Sequence, residues 1–292
     1  ASVRNKITPF HGLLAGLMGL LAVAVTFRAW KSIFDLAWAD PEYQHIFLVP
    51  AVAMFLAYVR RDRLRYSRVR AVALGPVLVL IGWAAGSYGF NHKTQVLFHV
   101  GAVVVLIGAL VSVLGKQVLF RFFSVAFVLL MLVPLPRGVR EDIADPLQRW
   151  TAVIASHLLG AVGVETHVIG AALTINNQPV MIAEACNGMR MVFPLLLITY
   201  GFAFGLPLRN SVRFTIVLAS PVVALLCNVV RVLPLIWLQG QGAKGQDWGQ
   251  WLHDHSGWFM VPLAFLVLLG LIRLLKWAMI PVYRFPLASQ SA

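Results

Sequence analysis

Residues 95–114, QVLFHVGAVVVLIGALVSVL, run for twenty positions without an acidic residue, a lysine or an arginine. A helix rises 1.5 Å per residue, so this run reaches about 30 Å, the thickness of the hydrocarbon core of a bilayer. Runs of the same character lie on both sides of it. They fall at about 12–30, 45–59 and 71–90 before it, and at 119–135, 186–206, 212–236 and 257–276 after it. The second is short and has room to begin earlier. Composition agrees: the 292 residues are 60% hydrophobic and 12% charged, with a mean hydropathy of +0.81. A soluble domain carries about 25% charged residues, so this chain lacks the surface it would need in water. The expected fold is an all-α integral membrane protein of about eight transmembrane helices. No repeat, low-complexity tract or domain boundary interrupts it, so 1–292 reads as a single membrane domain in contact with the lipid bilayer.

The net charge of +13 does not point to nucleic acid, because the basic residues sit in short blocks between apolar runs. Arg60, Arg61, Arg63, Arg65, Arg68 and Arg70 form the densest block, which the positive-inside rule places in the cytoplasm. Counting spans outward puts Arg4/Lys6, Lys116/Arg121, Arg209/Arg213 and Arg273/Lys277/Arg284 on the same side. Asp35, Asp40, Glu42, Glu141, Asp142, Asp145, Glu165, Glu184, Asp247 and Asp254 fall opposite, leaving Asp62 inside. The reading is a multi-pass protein of the cell inner membrane with both termini cytoplasmic. The apolar run from Gly12 to Phe27 is then a retained first helix.

Residues 145–163 are too polar for a span, with Gln148, Arg149, Thr151, Ser156 and His157 inside them. Asp145-Pro146 reads as a helix start, an N-cap followed by proline at the first helical position, and Gly160 or Gly163 as its end. The segment is expected to be an interfacial or re-entrant helix at the outer surface. After it, Leu173–Ile175, Asn176-Asn177 and Val180–Ile182 read as a small hairpin, with Pro179 holding the second strand to an edge.

This orientation gathers several reactive side chains at one face. Cys186 opens the sixth span, Arg231 lies near the end of the seventh and His253 precedes the eighth. A nucleophile, a cation and a base are the parts of a thiol acyl-transfer site. At a helix start, unpaired N–H groups favour a thiolate, and Arg190, four residues on, adds to this. The same position also suits a small buried hydrophobe, and spacing alone does not separate the two. Cys227, within the apolar run Val222–Val230, reads as core. Arg231 is costly inside an apolar helix unless it functions there or snorkels to the interface. Asn228 lies one turn before it and is placed to orient a guanidinium fork that would stabilise an oxyanion. His253 and His255 are both external, and Asp254 or a carbonyl is available to hold the ring. A zinc site drawn from these histidines, His45 and Glu184 does not match known ligand spacings, so no metal or cofactor is expected. His11, His92, His99, His157 and His167 read as structural or interfacial.

Taken in order, these segments resemble the exosortase/archaeosortase family of membrane transpeptidases over residues 43 to 270. Tyr43-Gln44-His45-Ile46-Phe47-Leu48-Val49-Pro50 followed by Arg60-Arg61 resembles the family's early Y-x-H-x-x-L-V-P segment, and Met131 to Pro136 with Pro146-Leu147-Gln148 its central one. Glu184-Ala185-Cys186-Asn187-Gly188-Met189-Arg190 resembles E-A-C-S-G-[IL]-R, with Asn187 where serine is usual. Asn228-Val229-Val230-Arg231 resembles N-x-x-R, and His253 with Gly257-Trp258 resembles H-x-x-x-G-[WF], a spacing that favours His253 over His255. The resemblance implies a cysteine peptidase with Cys186 as nucleophile, His253 as proton-transfer residue and Arg231 as transition-state stabiliser. Its partners would be exported proteins with a C-terminal signal: a short motif such as Pro-Glu-Pro, an apolar helix and a basic tail. The new C-terminus would pass to a lipid or saccharide acceptor at the outer face. Two other classes fit a polytopic chain. A transporter would favour inverted repeats and broken midplane helices, and a lipid-linked transferase of polysaccharide export would favour clustered acidic metal ligands; the sequence shows neither.

Overall fold

The computed structural model describes residues 8–62, 73–170, 172–175, 178–181, 189–239, 251, 262–263, 265–270 and 273. In chain order these form α1 (Pro9–Val25), α2 (Phe27–Ala39), a 3₁₀ segment (Pro41–Leu48) running into α3 (Val49–Val59), α4 (Leu74–Asn91), α5 (Gln95–Leu114), α6 (Lys116–Arg121), α7 (Phe123–Leu130) and α8 (Arg137–Ala161). Strands β1 (Thr166–Ile169), β2 (Ala172–Ile175) and β3 (Gln178–Met181) follow, then α9 (Met189–Gly205) and α10 (Asn210–Gln239).

The packing is that of a chain solvated by lipid. On α1 the buried positions are Ala15, Gly19 and Ala22, while Leu13 and Leu20 are 72% and 71% exposed. A water-soluble helix would be arranged the other way. In a bilayer, large side chains lose nothing by facing out, and small ones let backbones approach. The α4–α5 hairpin takes this furthest. A Cβ on Gly82 would lie 2.7 Å from the Val105 nitrogen, and one on Gly101 would lie 2.5 Å from the Gly86 nitrogen.

Three helical stretches among the described residues are long and apolar enough to cross a bilayer: Pro41–Val59, Gln95–Leu114 and Asn210–Leu238. The expected second span does begin earlier, at Pro41, where Asp40 Oδ1 accepts from the Glu42 backbone N–H at 2.9 Å. The expected span over 12–30 breaks instead at Thr26, and α2 leaves α1 at 77°. There the Thr26 hydroxyl donates to the Ala22 carbonyl at 2.7 Å and accepts from the Trp30 indole at 2.8 Å. Trp30, Ala29, Ile33 and Ala37 make the buried side of α2, whose other side carries Arg28, Lys31 and Asp35. The stretch at 119–135 is divided by a turn at Phe122 into α6 and α7.

The helix expected to start at Asp145 starts at Arg137 and runs straight through Pro146. Proline removes one intrahelical bond, but Pro146 lies on an exposed side of α8, so no buried carbonyl is orphaned by it. At the other end Gly163, with φ of +84°, turns the chain out of the helix. The expected hairpin is present as β2 and β3, in register Ala172↔Met181 to Ile175↔Gln178. A further strand, β1, extends it to three, with β2 central and the proline-bearing β3 at an edge.

Arginines fix the two ends of the bundle. Arg60, at the end of α3, donates to the carbonyls of Arg121 (3.3 Å) and Phe204 (3.0 Å), joining the ends of α3, α6 and α9. Arg213 donates to the Leu206 carbonyl at 3.1 Å nearby. At the other end Arg140 of α8 meets Asp40 at 2.6 Å and Glu42 at 3.0 Å, and the Tyr43 hydroxyl donates to the Leu135 carbonyl at 2.9 Å. The 265–270 helical residues lie against α9 and α10, with Phe265 5.1 Å from the Phe202 ring and Leu268 buried in their shared core.

The hairpin glycines give a direct test. Gly82→Leu or Gly101→Val should abolish monodisperse protein in detergent, since each forces the α4 and α5 backbones apart. Gly160→Ala, with no atom near its would-be Cβ, should leave the elution profile and melting temperature unchanged.

Candidate active site

Of the residues singled out by sequence, Arg190, Asn228 and Arg231 lie within the described structure. Glu184, Cys186, His253 and Asp254 lie outside the described residues, as does His255.

Asn228 and Arg231 share one side of α10, three residues apart, and both are buried, Arg231 to 5% exposure. Their neighbourhood is built by α8 and the sheet. Ala152, Ala155 and Leu159 of α8, Leu173 and Ile175 of β2, and Val232, Leu235 and Ile236 of α10 form one core. The Asn228 side-chain amide donates to Thr151 Oγ1 at 3.5 Å, and the Thr151 hydroxyl donates in turn to the Leu147 carbonyl at 2.8 Å. Thr151 is therefore an acceptor for the asparagine amide, and it sits 0% exposed. Ser156 and Thr166 close 2.7 Å apart, tying β1 to the same helix.

The height of this pair follows from the hairpin of α9 and α10, joined by residues 206–209. Arg231 lies roughly 32 Å along α10 from Asn210 at 1.5 Å per residue, near the far boundary of a hydrocarbon core. A second core joins Met191, Val192 and Leu195 of α9 to Val223, Ala224 and Cys227 of α10. One turn beyond Cys227, Arg231 is level with the first residues of α9, which Cys186 precedes by three positions. Cys227 itself is packed in that second core, as its apolar run suggests.

Arg190, the second residue of α9, is partly buried, and its Nε is inaccessible and makes no hydrogen bond among the described residues. Beside it, Phe193 stacks on His45 of the 3₁₀ segment, ring centroids 5.0 Å apart. The acid pair of that segment, Asp40 and Glu42, is neutralised by Arg140, whose guanidinium also lies 5.3 Å from the Tyr43 ring centroid. Partial burial works against the Arg140 charge, but Asp40, Tyr43 and Glu42 outweigh it and raise its pKa.

Sequence reading missed Arg140 and Thr151. Arg140 is one of several basic residues in a polar stretch, and its acidic partners lie about a hundred residues away. No local pattern marks it. Thr151 was legible only as a polar residue in an ambiguous helix. No group of three or more metal-ligating side chains occurs among the described residues.

Thr151→Val should remove the Thr151 Oγ1 contact of the buried Asn228 amide, at a cost on the order of 1 kcal/mol. Its melting temperature in detergent should fall, and Thr151→Ser should restore it.

Comparison with known proteins brings in one family. The family model described as transmembrane exosortase matches residues 37–270. No curated protein and no solved structure matches the chain. The matched region takes in every described segment of the candidate site, from the Asp40–His45 end of the 3₁₀ segment through α10 to residues 265–270. It covers most of the 292 residues, and the chain belongs to the transmembrane exosortase family.

Proposed function

We propose that this protein is a membrane-embedded cysteine transpeptidase that cuts the C-terminal sorting signal of exported proteins and transfers the new C-terminus to an acceptor at the outer face. One observation carries the reading: Arg231 is buried in α10, level with the start of α9, one turn from an Asn228 hydrogen-bonded to Thr151. A buried arginine near the edge of a bilayer is costly unless a polar neighbourhood holds it, and the start of α9, with which it is level, follows Cys186 by three positions in the sequence.

In the proposed reaction the Cys186 thiolate attacks the scissile carbonyl, and Arg231 stabilises the oxyanion. His253 protonates the departing amine, leaving a thioester. An acceptor nucleophile then attacks the thioester, losing its proton to His253, and the thiolate is released. Glu184, Asp254 and Arg190 support the nucleophile and base. A substrate whose apolar tail helix lies in the bilayer would present its cleavage site at this depth.

The proposed topology has about eight spans, both termini cytoplasmic, and 137–185 and 239–256 on the periplasmic side of the inner membrane. The Arg60 bonds to the Arg121 and Phe204 carbonyls, with Arg213 on the Leu206 carbonyl close by in the chain, lie at the end of α3 away from Asp40, Glu42 and Arg140 and support it.

Co-expressed with a tailed substrate, Cys186→Ala should accumulate normally and leave the substrate C-terminus unprocessed by mass analysis, while Cys227→Ala retains most activity. Normal processing by Cys186→Ala would rule out the thiol mechanism. Arg231→Lys should lose far more rate than its retained charge suggests, because an ammonium does not reproduce a bidentate fork. Reporter fusions after Arg209 and Arg284 should both read as cytoplasmic; a periplasmic signal at either would show that 145–163 crosses the membrane.

A further inference from the structure

The elbow between α1 and α2 stands off from the α4–α5 hairpin and encloses a hollow of about 710 Å³. Residues 24–29 of the elbow form one wall, Gly82, Trp83 and Phe90 of α4 another, and Phe98 of α5 a third. The lining is mainly apolar. On α4 the hollow extends from Asn91, the last residue of the helix, to Gly82, about 14 Å at 1.5 Å per residue. That is close to the depth of one leaflet in a hydrocarbon core about 30 Å thick. The open end lies with Asp40 and Arg140. The helices α4 and α5 run antiparallel, and the opposite end of α5 leads into α6, whose Arg121 carbonyl is held by Arg60.

A second hollow, of about 460 Å³, follows one face of α2. Arg28, Lys31, Ser32 and Asp35 recur along it at helical spacing, and Gln95, the first residue of α5, stands across from them. Ser32 Oγ is fixed in the wall by His99, 3.0 Å away at Nε2. Arg28 lines both hollows and so marks where they meet. Among the described residues Arg28, Lys31 and Asp35 form no ion pair and no side-chain hydrogen bond. Two cations thus face one carboxylate, leaving the second hollow with a single net positive charge. A free anion would occupy this hollow and leave the apolar one empty, and a hydrocarbon would do the reverse. Only an amphiphile with a negative head matches both.

We propose that the elbow of α1 and α2 binds one glycerophospholipid with an anionic headgroup, its phosphodiester against Arg28 and Lys31 and one acyl chain in the hollow beside α4. The single negative charge of such a head balances the net charge of the second hollow, which a zwitterionic head does not. Ser87 and Asn91, one turn apart on α4, line the apolar hollow toward its open end and offer hydrogen bonds to glycerol and ester oxygens. The chain lies along Trp83 and Phe27, both exposed in the protein alone. The site uses neither Arg231 nor any group of the proposed acyl-transfer chemistry, and it stands whether or not that chemistry is correct.

The test is native mass spectrometry of the full-length protein in detergent, titrated with dioleoylphosphatidylglycerol, with dioleoylphosphatidylcholine and inorganic phosphate as comparison probes. One phosphatidylglycerol should bind ahead of all further copies, and phosphatidylcholine should bind that site roughly tenfold more weakly or worse. Arg28→Gln combined with Lys31→Gln should weaken phosphatidylglycerol by roughly tenfold or more and bring it to the level of phosphatidylcholine. Ala24→Trp keeps both cations and places an indole in the apolar hollow, and it should lose the same site. Lys93→Gln removes a cation from the same end of the bundle but from neither hollow, and it should bind as the unaltered protein does. Equal affinity for the two lipids, or phosphatidylglycerol binding unchanged in the double variant, overturns the proposal. Phosphate binding that survives Ala24→Trp would show a site for a free anion and overturn the lipid assignment. If the double variant does not accumulate, Ala24→Trp and the comparison of the two lipids decide the matter on their own.

Discussion

Polar groups in a bilayer have no water to fall back on, and the organisation of this chain follows from that constraint. Arg60 shows how it operates. The ends of α6 and α9 leave carbonyls without intrahelical partners, and one guanidinium at the end of α3 reaches one on each. Three helix ends are thereby held together by a side chain that is itself 9% exposed. Arg140 performs the matching task at the opposite end, where it neutralises Asp40 and Glu42 and approaches Tyr43. Between these two sets, Trp30, Ile33, Ile46, Leu56 and Leu197 fill an apolar core, and glycines bring α4 and α5 close together.

The candidate site grows out of the same constraint. Arg231 and Asn228 are tolerable in α10 because α8 and the sheet cover that part of the helix with both apolar mass and hydrogen-bonding groups. Ala152, Ala155, Leu173 and Ile175 supply the first, and Thr151 the second. The helix that looked least like a membrane span is thus the one that makes an intramembrane arginine possible. Its own dual character explains how. Thr151, Ala155 and Leu159 turn inward, while Val139, Ile143, Trp150 and Leu158 are exposed and suit a boundary between headgroups and acyl chains.

Two helix starts show where local reading succeeds and where it fails. Asp40-Pro41 and Asp145-Pro146 carry the same signature. At Asp40 the carboxylate caps the 3₁₀ segment, as the signature implies. At Asp145 the chain is already two turns into α8, because the Arg140 contacts with Asp40 and Glu42 favour an earlier start. A dipeptide cannot encode that difference; a contact spanning a hundred residues can. The break at Thr26 was hidden for a different reason. The apolar run continues past it, and the bend depends on where Trp30 finds its partner.

The sequence by itself determined the membrane class, the family, the helical runs at 45–59, 71–90, 95–114, 186–206 and 212–236 so far as their residues are described, and the β2–β3 hairpin. Each of these is written in hydropathy, charge blocks or turn residues, which act over a few to some twenty positions. Only the tertiary structure decided that α1 ends at Thr26, that α8 begins at Arg137, that Thr151 meets Asn228 and that His45 stands against Phe193. Apart from the Thr26 break, whose Ala22 and Trp30 partners lie four residues away, those outcomes depend on which distant side chains meet in space. The pairing energy of a buried polar group is set by its partner, and local sequence carries no record of a partner a hundred residues away.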